Sequence, residues 1–226
     1  LPCEIITYGL KTAGDYQAEN IVFDEFAHGS FDCVRNGKTI GHFSLSVPGI
    51  HNVSNALAVI ALGMKLGLSL EHIQKGLLHF GGTDRRFQYK GKVGGVTVID
   101  DYAHHPTEIA ATLRTAANYP HKTTWCVFQP HTYTRTKALM EDFAQALTLA
   151  DKVILADIYA ARETDTLGIS SEILKDKIAA LGTDAYYFPT FDEIEDFLLT
   201  NCTAEDLIIT MGAGDVYKIG ENLLGM

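Results

Sequence analysis

Near residue 84 the hydrophobic pattern of this 226-residue chain changes its period. Beyond Gly81-Gly82-Thr83-Asp84-Arg85-Arg86, apolar runs of strand length alternate with stretches of helical periodicity. The spacing predicts strands over 95–100, 123–129, 152–156, 185–188 and 206–211, and helices over 106–118, 136–149, 170–181, 191–199 and 215–224. Such alternation requires a largely parallel sheet with helices on both faces, because each parallel pair needs a crossover. The polar, glycine-bearing stretch before it is the expected domain boundary.

In an open parallel sheet, ligand chemistry gathers where strands end and helices begin. The first such junction reads Asp100-Asp101-Tyr102-Ala103-His104-His105-Pro106-Thr107-Glu108. Pro106 suits a first helical turn and Glu108 complements the positive end of the helix. Asp100 and Asp101 point to opposite sides if the strand runs through them, so one of them is expected to face the crevice. His105, directly before Pro106, reads as a packing residue at the start of the helix. The second junction reads Gln129-Pro130-His131-Thr132-Tyr133-Thr134-Arg135. If the two strands are neighbours, His131 and Arg135 face Asp101, Tyr102 and His104, and Arg135 is suited to grip a carboxylate or phosphate with two parallel hydrogen bonds. Arg135 taken alone reads as a solvated residue at a helix start.

The chain before the boundary has a different design. Glu4–Tyr8 reads as a strand, and the alternation from Asn20 to Val47, with turns at His28-Gly29-Ser30 and Asn36-Gly37-Lys38, predicts an antiparallel meander. After Pro48-Gly49, Val53, Ala56, Leu57, Ile60, Ala61 and Met64 recur at helical spacing, and a second helix over 69–78 carries Leu70, Ile73, Leu77 and Leu78. Ser69 is placed to cap it, without the partner that a full capping box needs. Asn52 and Asn55 flank the start of the first helix, where amides read a base edge or simply cap. Arg85 and Arg86 suit an anionic ligand, a carboxylate partner or plain solvation.

Several function classes are disfavoured. A formal charge of -10 argues against a general nucleic-acid binder, since a phosphate backbone would be repelled. Cys3, Cys33, Cys126 and Cys202 are widely spaced and read as reduced thiols. No apolar run has membrane-spanning length, and Leu1-Pro2-Cys3-Glu4 lacks signal-peptide features, so a cytoplasmic protein without a membrane partner is expected. The start without Met leads to the expectation that the chain is a piece of something longer. His104-His105-Pro106-Thr107-Glu108 is not a zinc motif, and no metal site is expected from these residues. Met211-Gly212-Ala213-Gly214-Asp215 makes a tight strand-to-helix turn but lacks the third glycine of a dinucleotide fingerprint.

Six stretches together resemble the Mur ligases of bacterial cell-wall synthesis, in particular the alanine-adding branch: PGIHNVSNALA at 48–58, FGGTDRRFQYKG at 80–91, VIDDYAHHPTEI at 98–109, VFQPHTYTRT at 127–136, ADIYAARE at 156–163 and MGAGD at 211–215. The resemblance implies residues 1–83 as the C-terminal part of a central ATPase domain, a meander plus two helices. Residues 84–226 are then a Rossmann-like domain for the incoming amino acid. It implies an ATP-dependent ligase that joins L-alanine to UDP-N-acetylmuramate through an acyl phosphate, with a tripeptide-adding relative or a non-catalytic binding module as alternatives. Carried over by position, Asn52, Asn55, Arg85 or Arg86, and Asp101 look like ATP contacts. Tyr102, His104, His131 and Arg135 look like the amino-acid pocket, with His104, His131 and Arg135 nearest the chemistry and Arg135 on the substrate carboxylate. Many relatives carry a basic residue where this chain has Thr132. Magnesium is implied, with ligands mainly outside this stretch. No GxxxxGK[ST] phosphate loop is present, so the chain by itself is expected to be inactive.

Overall fold

The structure, a computed structural model, describes residues 3–11, 14–164 and 167–226; Leu1 and Pro2 of the chain start read above lie outside the described residues. The chain divides into two compact units, Leu1–Gly82 and Thr83–Met226.

The first unit is a four-stranded sheet of β1 (Tyr8–Gly9), β2 (Tyr16–Phe23), β3 (His28–Arg35) and β4 (Lys38–Pro48), in that order. β2, β3 and β4 form the expected antiparallel meander, and β1 joins it in parallel with β2. The strand expected over Glu4–Tyr8 is reduced to the two residues of β1. Asn36 and Gly37 turn β3 into β4 with positive φ at both positions, 50° and 71°, as a tight hairpin requires. The other expected turn is displaced: His28, Gly29 and Ser30 lie inside β3, and the reversal falls on residues 24–27. Asp24 makes that reversal, its Oδ1 accepting from the N–H groups of Phe26 (2.9 Å) and His28 (2.8 Å). Gly29 is glycine for a packing reason instead, since a Cβ there would meet Val53 Cγ2 at 2.7 Å.

Val53 belongs to α1 (Ile50–Lys65), whose buried stripe of Val53, Ala56, Leu57, Ile60 and Ala61 packs with Ile73 and Leu77 of α2 (Leu70–His79) onto Phe31, Phe43 and Leu45 of the sheet. Ser69 caps α2, accepting from His72 N–H at 3.3 Å.

The second unit contains a six-stranded sheet: β5 (Gln88–Val93), β6 (Val96–Asp101), β7 (Thr124–Phe128), β8 (Lys152–Leu155), β9 (Asp184–Tyr187) and β10 (Leu207–Met211), in the order β5-β6-β10-β7-β8-β9. All pairings are parallel except β5 with β6. β5 was not foreseen; it is an antiparallel edge strand returned by Gly94-Gly95, both at positive φ. The central strands are buried on both faces, and successive residues serve opposite layers. Cys126 and Phe128 pack with α3 (Pro106–Ala116), α5 (Met140–Leu147) and α6 (Ser171–Ala180), whereas Trp125 and Val127 pack with α7 (Phe191–Asn201) and α8 (Tyr217–Leu224). The single helix expected over 136–149 is two: α4 (Tyr133–Ala138) ends at Leu139, which leaves helical geometry (φ -115°, ψ 20°) with its side chain against the core, and α5 follows.

Strand order places the site. The chain leaves β6 for β7, continues outward to β8 and β9, and returns on the other face to insert β10 between β6 and β7. The direction of winding reverses at β10, so the loops after β6, β7, β8 and β10 converge there. No helix among the described residues is long and apolar enough to cross a membrane.

Candidate functional site

Arg85 organises the end of the sheet. Its Nε donates to Asp100 Oδ2 at 2.8 Å and its Nη2 to the Gly212 carbonyl at 2.7 Å, linking the ends of β6 and β10. The guanidinium lies over the rings of Tyr102 (4.8 Å) and Tyr217 (4.6 Å). Asp100, with a side chain only 2% exposed, also accepts from Thr210 Oγ1 at 2.8 Å, so its buried charge is paired and hydrogen-bonded. Arg86 is exposed, with its guanidinium 5.8 Å from the Tyr102 ring. Two adjacent arginines thus have separate jobs, one tying backbone and carboxylate together and one facing solvent.

Asp101 is a residue of this stretch for which a nucleotide contact is expected. It is buried, and its two oxygens accept from the backbone N–H groups of Phe87 (2.8 Å) and Ala103 (2.7 Å). Burial raises its pKa, against the lowering effect of those hydrogen bonds. Its work is to hold the 85–87 loop, where Arg85 and Phe87 both have positive φ (58° and 47°), onto the end of β6.

A row of rings crosses the strand ends. Tyr102 meets His104 edge-on at 5.5 Å, His104 meets His131 at 6.2 Å, and His131 stacks on Tyr159 at 5.5 Å and 19°. These rings come from the loops after β6, β7 and β8, so Tyr102, His104, His131 and Arg135 are brought together. His104 Nδ1 lies 3.0 Å from the Tyr102 carbonyl, an acceptor, so that nitrogen carries a proton and donates to it, with Glu108 Oε2 3.4 Å away. Glu108 receives the His104 backbone N–H at 3.1 Å. His105 is exposed and caps α3, its Nδ1 accepting from Thr107 N–H at 3.3 Å.

Arg135 Nη1 donates to His131 Nδ1 at 3.4 Å, a long contact between a permanent cation and an imidazole. Burial first, then the charges of Arg135 and His104, lower the His131 pKa, with Glu163 opposing. His131 is therefore a neutral imidazole at neutral pH, with its Nδ1 lone pair turned to a guanidinium suited to a carboxylate. Thr132, between them, is held at φ 66°, a strained conformation for a β-branched residue.

Sequence reasoning assigned no role to the loop after β8, although its residues follow a strand end as the other site residues do. Glu163 accepts from Thr134 N–H (2.9 Å) and Thr134 Oγ1 (2.5 Å), and Gln129 Nε2 donates to the Asp157 carbonyl at 3.3 Å. Gly214 is packed against this layer, for a Cβ there would lie 2.4 Å from Gln129 Oε1 and 3.0 Å from Tyr159. In the first unit, the Asn52 side chain donates to the Pro48 carbonyl (2.8 Å) and accepts from Asn55 Nδ2 (3.1 Å), a pair of amides rather than N-caps. Among the described residues, no group of three or more His, Cys, Asp or Glu is placed to hold a metal ion.

Two outcomes follow. Arg85→Ala leaves Asp100 buried without its partner and is expected to destabilise the second unit by about 3–5 kcal/mol, while Arg86→Ala changes stability by less than about 0.5 kcal/mol; chemical denaturation distinguishes them. His131 binds its proton less readily folded than unfolded, so its contribution to stability is present above the unfolded pKa and is lost as pH falls through 6.5 toward the lower folded value. NMR titration of the imidazole is expected to give a midpoint below 6.5 that rises in Arg135→Ala.

Comparison with known proteins accords with this geometry. The family description "Mur ligase, glutamate ligase domain" matches residues 85–214, and "Mur ligase middle domain" matches residues 1–63. The chain is 59% identical over 224 residues to a UDP-N-acetylmuramate–L-alanine ligase of Agathobacter rectalis, covering 99% of this chain and 49% of that one. A solved UDP-N-acetylmuramate-alanine ligase of Thermotoga maritima superposes with a TM-score of 0.83 at 32% identity, covering 97% of this chain and 47% of that one. A murein peptide ligase of Psychrobacter arcticus gives 0.67 at 27% identity, covering 96% and 45%. The chain spans about half the length of the curated relatives it matches. With the family's sequence description covering most of the second unit and its fold reproduced across both, this chain belongs to the Mur ligase family.

Proposed function

We propose that this chain is part of an ATP-dependent ligase that joins L-alanine to UDP-N-acetylmuramate in peptidoglycan precursor synthesis, working in the cytoplasm. Residues 1–83 serve as the end of the ATPase domain and residues 84–226 as the amino-acid domain. The observation that carries this reading is the meeting of Arg135, His131, His104 and Tyr102 above the ends of β6 and β7. A cation suited to a carboxylate beside a neutral imidazole is what an incoming α-amino acid requires.

The chemistry sets the demands. A carboxylate is a poor acyl donor until its oxygen becomes a good leaving group, which ATP supplies when bound by phosphorylating it. Arg135 holds the carboxylate of the amino acid by paired charge-assisted hydrogen bonds. The ammonium group must lose a proton to become a nucleophile, and His131 Nδ1, the imidazole's one acceptor, takes it once the substrate carboxylate has drawn the Arg135 guanidinium away from that nitrogen. The freed amine attacks the acyl carbon; the C–N bond forms, the C–O bond to phosphate breaks, and the second amine proton goes with the leaving group, which departs as hydrogen phosphate. Fixing both reactants converts this step into one that is effectively unimolecular, and a crevice of aromatic rings helps exclude the water that would otherwise intercept the acyl group.

Each unit by itself offers nucleotide donors: in the second, Arg86 is exposed and suited to a phosphate, with Arg85 and Asp101 keeping its loop in place, and in the first, the Asn52 and Asn55 amides suit a base edge. Magnesium would be held mainly by residues outside this stretch; among the described residues no group of three or more His, Cys, Asp or Glu is placed for it. With no phosphate loop in its sequence, the chain alone is expected to release no phosphate from ATP.

In the full-length protein, Arg135→Ala is expected to raise the KM for L-alanine by about 10-fold or more, the scale of losing a charge-assisted hydrogen bond, with the KM for ATP little changed. An unchanged alanine KM contradicts the assignment.

A further inference from the structure

The loop after β8 supplies a ring that the reading above leaves without a task. Tyr159 stacks face to face on His131, is 38% exposed, and sits between His131 and the turn after β10. We propose that Tyr159 is a specificity-determining residue of the amino-acid crevice, forming the wall that confines the acceptor to a small side chain. This rests on the amino-acid site of the proposed function and deepens it.

A wall selects by size only if it cannot retreat, and Tyr159, although partly exposed, is anchored through its main chain and backed on one side of its ring. Its backbone N–H donates to the Pro130 carbonyl at 2.8 Å and its carbonyl accepts from Thr132 N–H at 2.9 Å, so the main chain is laced to the residues on either side of His131. Behind the ring lies Gly214, so close that one added carbon would stand 3.0 Å from Tyr159 Cγ. The loop is fastened at both ends. Asp157 accepts from Tyr187 Oη at 2.5 Å and, through its carbonyl, from Gln129; Glu163 is bound by Thr134. Those hydrogen bonds from Thr134 hold the Glu163 carboxyl below its usual range, so the fastening persists through neutral pH.

An amino acid gripped by its carboxylate on Arg135 would lie close to His131, and the ring stacked on His131 is Tyr159. A methyl side chain is tolerated against such a surface; an added methylene must displace a ring with no room behind it. Overpacking of this kind discriminates between neighbours in a homologous series by about 10- to 200-fold per methylene. Thr132, short and held at positive φ, contributes no charge to this wall, so discrimination falls to shape.

The test measures phosphate release by the full-length protein with UDP-N-acetylmuramate, magnesium ATP and either L-alanine or L-2-aminobutyrate, which is one methylene longer. Tyr159→Ala is expected to raise the ratio of kcat/KM for aminobutyrate over alanine by about 10-fold or more. Tyr159→Leu, which keeps apolar filling in case the alanine variant does not fold, is expected to move the ratio in the same direction by less. A ratio within about 2-fold of the unsubstituted protein, in a variant that still turns over alanine, overturns the proposal. So does an equal fall for both substrates, which marks Tyr159 as packing only. Failure of the unsubstituted protein to use L-alanine overturns the amino-acid reading itself, and the proposal with it.

Discussion

One ion pair fixes the end of the sheet on which everything else is mounted. Asp100 is almost completely buried at the C-terminal end of β6, a position no carboxylate occupies without a partner, and Arg85 supplies the partner from a loop fifteen residues earlier. The same guanidinium reaches the Gly212 carbonyl after β10 and lies over the rings of Tyr102 and Tyr217. One side chain therefore couples the start of the second unit, the end of β6, the turn after β10 and the start of α8. Asp101 repeats the principle with backbone donors. Together they make a rigid rim, and a rigid rim is what lets short loops hold reactive groups in fixed relation.

The topology supplies the rest. Because β10 returns between β6 and β7, the loops of four neighbouring strands meet at one end of the sheet. The four rings from Tyr102 to Tyr159 and the guanidinium of Arg135 occupy that space. His131 depends on it: burial and the neighbouring Arg135 and His104 lower its imidazole pKa, and the opposing charge of Glu163 is the smaller effect. The β8 loop thus shapes the electrostatics as well as the outline of the crevice.

Much of this was legible in the sequence, for identifiable reasons. Strands buried on both faces announce themselves as unbroken apolar runs, so the parallel strands of the second unit and the polar residues at the ends of β6 and β7 were readable in order. β5 was not, because Gln88–Val93 is half-exposed, polar and interrupted by a glycine, leaving Gly94-Gly95 as its one signal. Gly29 misled as a turn residue because packing against Val53 demands the same amino acid that a turn does. Arg85 and Arg86 are indistinguishable as letters; a single positive φ at Arg85 sends one inward and one outward. Tyr159 was overlooked although it follows a strand end, since nothing in an isolated tyrosine reveals the imidazole it stacks upon.

The central claim is that this crevice accepts a small amino acid for ligation, and it is tested most directly by phosphate release from the full-length protein with UDP-N-acetylmuramate and magnesium ATP, comparing L-alanine with the cell-wall tripeptide as acceptor. The account predicts turnover with L-alanine and little with the tripeptide. Turnover with the tripeptide alone would contradict it, because the account assigns Tyr159 to confine the acceptor to a small side chain.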